Sequence, residues 1–573
     1  MSEESEDKSR ISMIRGSLLS ALSTFLALGI LLGCSGVTPS PLGFSTSGEL
    51  SSSSTPFRPL PWTPLPPTSD IPTLAPTDTQ APFSIWVSPH LPRSLRAALQ
   101  FPAELGLTEQ PENAILRLEV GLGEVVSQWI YALVAPFPTV VDGVSAEDLR
   151  RSWRGKPSGP FAGRALLMDG NTQRVFSSLW GEPAGGAVQV RAADKLLAAA
   201  WEMRPSWALV PFEVLEPRWK VLSVDGLSPV LKDFNASDYA LTVPISISGD
   251  QRYVSLYSQG LVPGGNRDAG KLTTLMMTGV TALVRATAWT MERQGIDYPA
   301  LDVGEPLRQA DLTHISNEVP FARDCPFPDP VQPDMRFCSD PRYITLLETV
   351  GTDVVELTGD HFGDWGTQAM LFTLELYDER NWPYYGGGAN FIQGRKALTV
   401  EHNGNRLAFI GCNAKGGGFA GASATNPGAV ACDFSWMHAE ISRLREEGYL
   451  PIATFQHFEY YTYYALANQE RDARGMAKAG ALIVSGSQAH QPQAFEFRDG
   501  ALIHYGLGNL FFDQLDISEA TRQAFIDRHV FYAGRHISTE LLTIYFVDYA
   551  RPRLMTVSER KQLLEAVFEA SGW

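Results

Sequence analysis

The stretch "DPRYITLLETVGTDVVELTGDHFGDWGTQAMLFTLELYDERN", residues 340–381, decides the fold. Its first part, "DPRYITLLETVG", has the spacing of a helix, and "TDVVELTG" is a short apolar run of the kind that starts a buried strand. "TQAMLFTLELYDERN" is again helical. Between strand and second helix lies "LTGDHFGDWG": an Asp-His pair, Asp360-His361, where the strand runs out into a glycine-rich loop, and Asp364 three residues past the His.

The same alternation continues on both sides. "KLTTLMMTG", "NRLAFIGC", "LPIATFQH" and "ALIVSGS" are predicted strands, while "DFSWMHAEISRLREEG" and "DARGMAKAG" are predicted helices, the first opened by Asp433 as N-cap. "AFEFRDGALIHYGLGNLFF" is a hairpin turning at Asp499-Gly500. "TVSERKQLLEAVFEASG" is a helix with a capping box from Thr556 to Glu559. Alternating strands and helices give an α/β fold with a mainly parallel sheet, and function then sits at the carboxyl ends of its strands.

Those ends collect polar residues. In chain order they offer Gly279-Val280-Thr281 with Arg285, then His314, Asn317 and Glu318, then Asp360, His361 and Asp364, then His457 and Glu459, and last His490. Histidines and carboxylates from separate strand ends are what a divalent-metal site needs. A single His after a strand is ordinarily a loop residue, but three after three strands point to a functional pocket. Asp364 has a second reading, as a cap of the helix at Thr367. The "YYTYY" run, Tyr460–Tyr464, reads as packing, with a sugar- or peptide-lining role as the alternative. "GCNAKGGGFAGASATNPG", residues 411–428, lacks the Gly-Lys-Ser/Thr ending of a phosphate loop and reads as a mobile loop over the pocket.

Seven blocks, in order, resemble the CapA family of capsule and poly-γ-glutamate biosynthesis proteins, whose fold is metallophosphatase-like. They are "GVTALVR", "NEVP", "LTGDHFGDWG", "YYGGGAN", "NRLAFIGC", "QHFEYY" and the pair "GSQAHQPQ" and "HYGLGNLFFDQ". The resemblance covers residues 271–515. It implies a role in the synthesis, export or attachment of a cell-surface polymer. It also marks departures: the family's first-strand Asp, a metal ligand, is Val280 here, the Asn before the key His is Asp360, and the asparagine of the second block is displaced by one residue to Asn317. On a strand end such a shift turns a side chain to the opposite face.

Three readings of the site follow. In one, Asp360 replaces the lost carboxylate and a single divalent ion binds Asp360, His361, His457 and His490. In the second, the pocket holds no metal, and acid–base work falls to Glu318 or Glu459 beside Arg285. In the third, the domain recognises an anionic polymer or small solute without catalysis. The catalytic set is Glu318, His361, His457, Glu459 and His490, with Arg285, Asn317, Asp364, Gln493 and Asn509 as substrate contacts.

Upstream, Lys8, Arg10 and Arg15 precede the apolar run "LLSALSTFLALGILLGC", too short for an ordinary membrane span. Its end, Leu31-Leu32-Gly33-Cys34, resembles the bacterial lipobox, so residues 1–34 are expected to be a lipoprotein signal with Cys34 lipidated. The remainder would then be extracytoplasmic and anchored to a membrane. Residues 35–82, dense in Ser, Thr and Pro, form a tether. Residues 83–262 read as a smaller α/β module. Its "YALVAPFPTVVDGVSAEDLRRSWRG" and "WKVLSVDGLSPVLKDFNASDYALTVPISI" resemble periplasmic solute-binding proteins of the phosphate type. Residues 516–573 are expected to be an extension packed on the CapA-like domain.

Five cysteines suit an exported chain. With Cys34 lipidated, four remain and allow three pairings; Cys325 with Cys338 and Cys412 with Cys432 are the local choice. No CxxC spacing is present, which argues against a zinc-thiolate site. The 573 residues exceed one ordinary core. A net charge of −17 argues against broad nucleic-acid binding.

Overall fold

The structure, a computed structural model, describes residues 83–121, 123–416 and 418–573. The proposed signal, Cys34 and the 35–82 tether lie outside the described residues. Among the described residues, no helix is long and apolar enough to cross a membrane.

The chain is α/β, as its alternation dictates. From Leu272 onward, however, it builds two large sheets, with a two-stranded ribbon of Gly387–Gly388 and Gly428–Ala429 beside them, rather than the single one expected. The first has parallel strands Leu272–Thr281, Leu312–Asn317, Val354–Glu356 and Tyr384–Tyr385. The second has parallel strands Asn405–Asn413, Leu450–Gln456, Ile483–Ser485 and Ala501–His504. Period-two alternation explains why they stack. Leu275, Met277, Phe409 and Ile452 point inward and share one apolar layer between the sheets. Their neighbours point outward: Met276 and Ile315 meet the helices of the first sheet, and Ile410 and Ala453 meet those of the second. Both sheets are thus covered on both faces, which is why their strands read as nearly continuous apolar runs.

Local sequence signals carry through. Asp433 accepts from the Trp436 N–H at the start of helix Phe434–Glu446. Thr556 and Glu559 form the capping box of helix Val557–Ala570. Strands Phe495–Arg498 and Ala501–His504 turn at Asp499-Gly500, both with positive φ (49° and 83°). Asp364 does not cap its helix, which begins at Gly366 after Trp365 with no side-chain cap. Cys325–Cys338 and Cys412–Cys432 are disulfides.

Residues 516–573 do more than pack on this domain. Strands Gln523–Tyr532 and Arg535–Phe546 extend the first sheet, the former antiparallel to Leu272–Thr281. Upstream, a mixed sheet is organised around the long strand Glu124–Pro136, with helix Ala146–Trp153 capped by Ser145. Its core, which includes Leu133, Trp153 and Phe176, is continuous with Leu272, Val530 and Ile537 of the C-terminal sheet.

Candidate functional site

Stacking the two sheets brings the carboxyl ends of strands from both to one edge. Glu318 follows the Leu312–Asn317 strand, and Asp360-His361 follow Val354–Glu356. Gln456 ends the Leu450–Gln456 strand of the second sheet, and Lys415 lies two residues beyond Asn413. Polar side chains lock the edges together. The Gln456 amide donates to Asp360 Oδ1 at 2.7 Å and accepts from the Asp360 N–H at 2.6 Å. Asn413 donates to the Thr358 carbonyl at 2.7 Å, and Gln488 donates to Ser316 at 2.5 Å. Gly359 permits the approach of the loop, since a Cβ there would lie 2.8 Å from the Glu318 backbone.

Glu318, Asp360 and His361 converge: their ligand atoms lie within 4.8 Å of one another. Glu318 is 1% exposed, and burial pushes its carboxyl above the usual carboxylate range. His361 Nδ1 donates to Asp364 Oδ2 at 2.7 Å, which orients the ring and leaves Nε2 for a ligand or a proton. Burial opposes charge on His361, but the Asp364 bond and the Glu318 and Asp360 carboxylates outweigh it and push its pKa up to about 9. Lys415 pairs with Asp360 Oδ2 and, at 3.0 Å, with Glu459. Burial works against charge on Asp360 as well, yet Lys415, His361 and Gln456 hold its carboxyl below the ordinary range. Glu459 is likewise held low, with His490 and Lys415 overcoming its burial.

Several expected site residues are elsewhere. His457 lies outside the Glu318–Asp360–His361 group: its Nε2 donates to Asp472 at 3.1 Å and its Nδ1 accepts from the Phe458 N–H. At that strand end it is Gln456, one residue earlier, that faces the site, because alternate residues take opposite faces. Asn317 turns away, donating to the Tyr377 hydroxyl at 2.8 Å, as its one-residue displacement implies. Gln493 is buried against Gln469 and Thr462 and is no substrate contact. Asp364 serves His361 and the Phe337 N–H rather than a substrate. Arg285 is committed to Asp513, with Nε at 3.0 Å, and lies over the rings of Phe337 and Phe512. His490 stands beside the site but falls outside the three-residue group; its Nδ1 donates to Asn509 at 2.8 Å, which makes Asn509 a positioning group. Among the described residues, the group whose ligand atoms converge is Glu318, Asp360 and His361; of the four expected ligands, Asp360 and His361 belong to it and His457 and His490 lie outside it.

Where the resemblance places the family's first-strand carboxylate, this chain has an apolar plug. Val280 is packed with Val319, Phe337 and Phe512. Sequence reading missed Gln456 and Lys415. Lys415 had a signal: it is the one charged residue in 411–428. Among the tyrosines, Tyr460 and Tyr463 are tied to Asn468 and Gln523, whereas Tyr461, Tyr464 and neighbouring Phe458 are exposed.

Residues 274–514 match the family described as bacterial capsule synthesis protein PGA_cap. The chain is 26% identical over 264 residues to the capsule biosynthesis protein CapA of Bacillus anthracis, covering 45% of this chain and 64% of that protein. It is 28% identical over 173 residues to the PGA biosynthesis protein CapA of Bacillus subtilis (strain 168), covering 30% of this chain and 45% of that protein. The chain thus spans less than two thirds of the length of these relatives. Among solved structures it is similar to a 5'-nucleotidase precursor from Thermus thermophilus (TM-score 0.31, 11% identity, 52% of this chain and 58% of that one). It is also similar to an ABC-type phosphate transport receptor from Vibrio cholerae (TM-score 0.27, 13% identity, 31% of this chain and 93% of that one). The segment that carries the Glu318–Asp360–His361 group is thus the one that matches the bacterial capsule synthesis family and resembles the two CapA proteins.

Proposed function

We propose that this protein acts in the synthesis, export or attachment of an anionic cell-surface polymer of the poly-γ-glutamate type, by hydrolysis or transfer at its amide links. The observation that carries the reading is the convergence of Glu318, Asp360 and His361 within 4.8 Å, inside the segment that matches the capsule synthesis family. In this reading the chain is exported and held to the membrane through Cys34, with residues 35–82 as the tether.

Glu318 holds its proton more tightly than an ordinary carboxyl and donates it to the leaving nitrogen. The acyl carbon passes to water or to an acceptor amine, and the Glu318 carboxylate left by the first transfer takes up the proton that this nucleophile gives up. Asp364 fixes His361 so that Nε2 faces the reacting group. Were a divalent ion held there instead, Glu318, Asp360 and His361 would be its ligands, Glu318 and His361 would give up their protons, and the ion would supply the polarisation of the carbonyl in place of the Glu318 acid. Exposed Phe458, Tyr461 and Tyr464 offer an apolar rim along which an extended polymer can lie. That rim also favours a second reading, in which the domain binds polymer without cleaving it.

The test is Glu318→Gln in the full chain, with release of new amine ends from poly-γ-glutamate as the assay. A loss of about 100-fold or more is expected. Equal activity of E318Q and wild type would remove Glu318 from the chemistry. Polymer binding by a wild type that releases no ends would establish the second reading.

A further inference from the structure

We infer that Lys415 is a tethered cation that competes with a divalent ion for the Asp360 carboxylate, so that the site alternates between a lysine-closed and a metal-open form. This inference rests on reading Glu318, Asp360 and His361 as the working site, and it concerns what controls that site.

Three observations carry it. The Lys415 ammonium sits directly on Asp360 Oδ2 and bridges to Glu459 at 3.0 Å, so one side-chain cation already neutralises the carboxylate a metal would need. The other Asp360 oxygen accepts from Gln456 Nε2 at 2.7 Å, which leaves Oδ2 as the oxygen in contention. A divalent ion on that oxygen would lie within contact distance of the ammonium, a like-charge arrangement the site cannot relieve unless the lysine withdraws.

Withdrawal needs no backbone movement. The Lys415 N–H donates to Asn413 Oδ1 at 2.9 Å, and the Ala414 N–H donates to the Gln456 carbonyl at 2.8 Å, which fixes the turn. The Cys412–Cys432 disulfide closes the base of the loop that follows. The four-carbon stem alone can carry the ammonium away from Asp360 while Glu459 retains it, because the two carboxylates share the same nitrogen. Glu459 is then a parking place for the displaced cation rather than a metal ligand. An anionic polymer entering the site supplies a further partner for the freed ammonium, so substrate and metal would favour the same form.

The experiment is calorimetric titration of the full chain with MnCl2, comparing wild type with K415M, K415Q and K415R. K415M and K415Q should bind one Mn2+ about 100-fold more tightly than wild type, and K415R, which keeps the charge, should stay within about threefold of wild type. Adding Asp360→Asn to K415M should abolish the gain. Either neutral variant suffices if the other does not fold. Equal Mn2+ affinity in wild type, K415M and K415Q, or no binding in any of them, would overturn the competition. Those results leave the E318Q assay untouched. Conversely, tight Mn2+ binding by K415M in a protein that acts on no polymer would keep the competition and defeat the proposed function.

Discussion

The two halves of the strand-end edge have gone different ways. On one side Val280, Val319, Phe337 and Phe512 form a closed apolar cluster, with Arg285 and Asp513 paired beside it. On the other, Glu318, Asp360 and His361 converge, and Lys415 pairs with both Asp360 and Glu459. A buried carboxylate is tolerated only when something neutralises it. The first half is apolar and filled; the second holds its carboxylates against a lysine. A lost ligand is therefore not a uniformly degraded site, because each half is internally consistent.

Val280→Asp should break this contrast most severely. If the apolar half were a dormant metal site, the substitution would restore Mn2+ binding. The expected outcome is instead a loss of about 3–5 kcal/mol of stability, seen as a lower Tm, with no gain in Mn2+ affinity. An unchanged Tm with tighter Mn2+ binding would erase the distinction between the halves.

On the charged side, Asp364→Ala frees the His361 ring and exposes the Phe337 N–H. Polymer turnover should fall about 10- to 100-fold, in kcat more than in KM, since Asp364 orients a group without touching substrate. Full activity in D364A would show that the His361 orientation does not matter.

Histidines sharpen the comparison from another side. Whereas His361 is pushed up among carboxylates, burial between and beside the sheets takes His314 and His536 down to about 3. The unfolded chain binds protons at these residues near pH 6.5, and the folded chain does so only near 3. Their contribution is therefore full above about 6.5 and is lost as pH falls, at up to about 1.4 kcal/mol per pH unit for each histidine. Urea unfolding between about pH 7.5 and about pH 4.5 should show this slope, and His314→Gln should make it shallower. Equal slopes in wild type and His314→Gln would mean that the His314 ring is not held neutral by the fold.

Most elements were legible because they obey local rules. The Asp433 cap, the Thr556–Glu559 box and the Asp499-Gly500 turn each depend on residues within three positions of one another. Strands 523–532 and 535–546 were missed as part of the sheet because pairing with Leu272–Thr281 joins residues some 250 positions apart. Glu318, Asp360 and His361 were found because they directly follow strands. His457 was preferred to Gln456 because histidine is the more reactive side chain, but strand parity decided which of the two faces the site.

The amino-acid sequence by itself determined the α/β alternation, the seven ordered blocks and the valine at position 280. Each of these is a matter of residue type and order along the chain. Only the tertiary structure decided that there are two large sheets, that their ends meet, and that Lys415 reaches Asp360. Those outcomes depend on which faces of separate strands bury together, and on bringing groups 55 positions apart in the chain to the same oxygen.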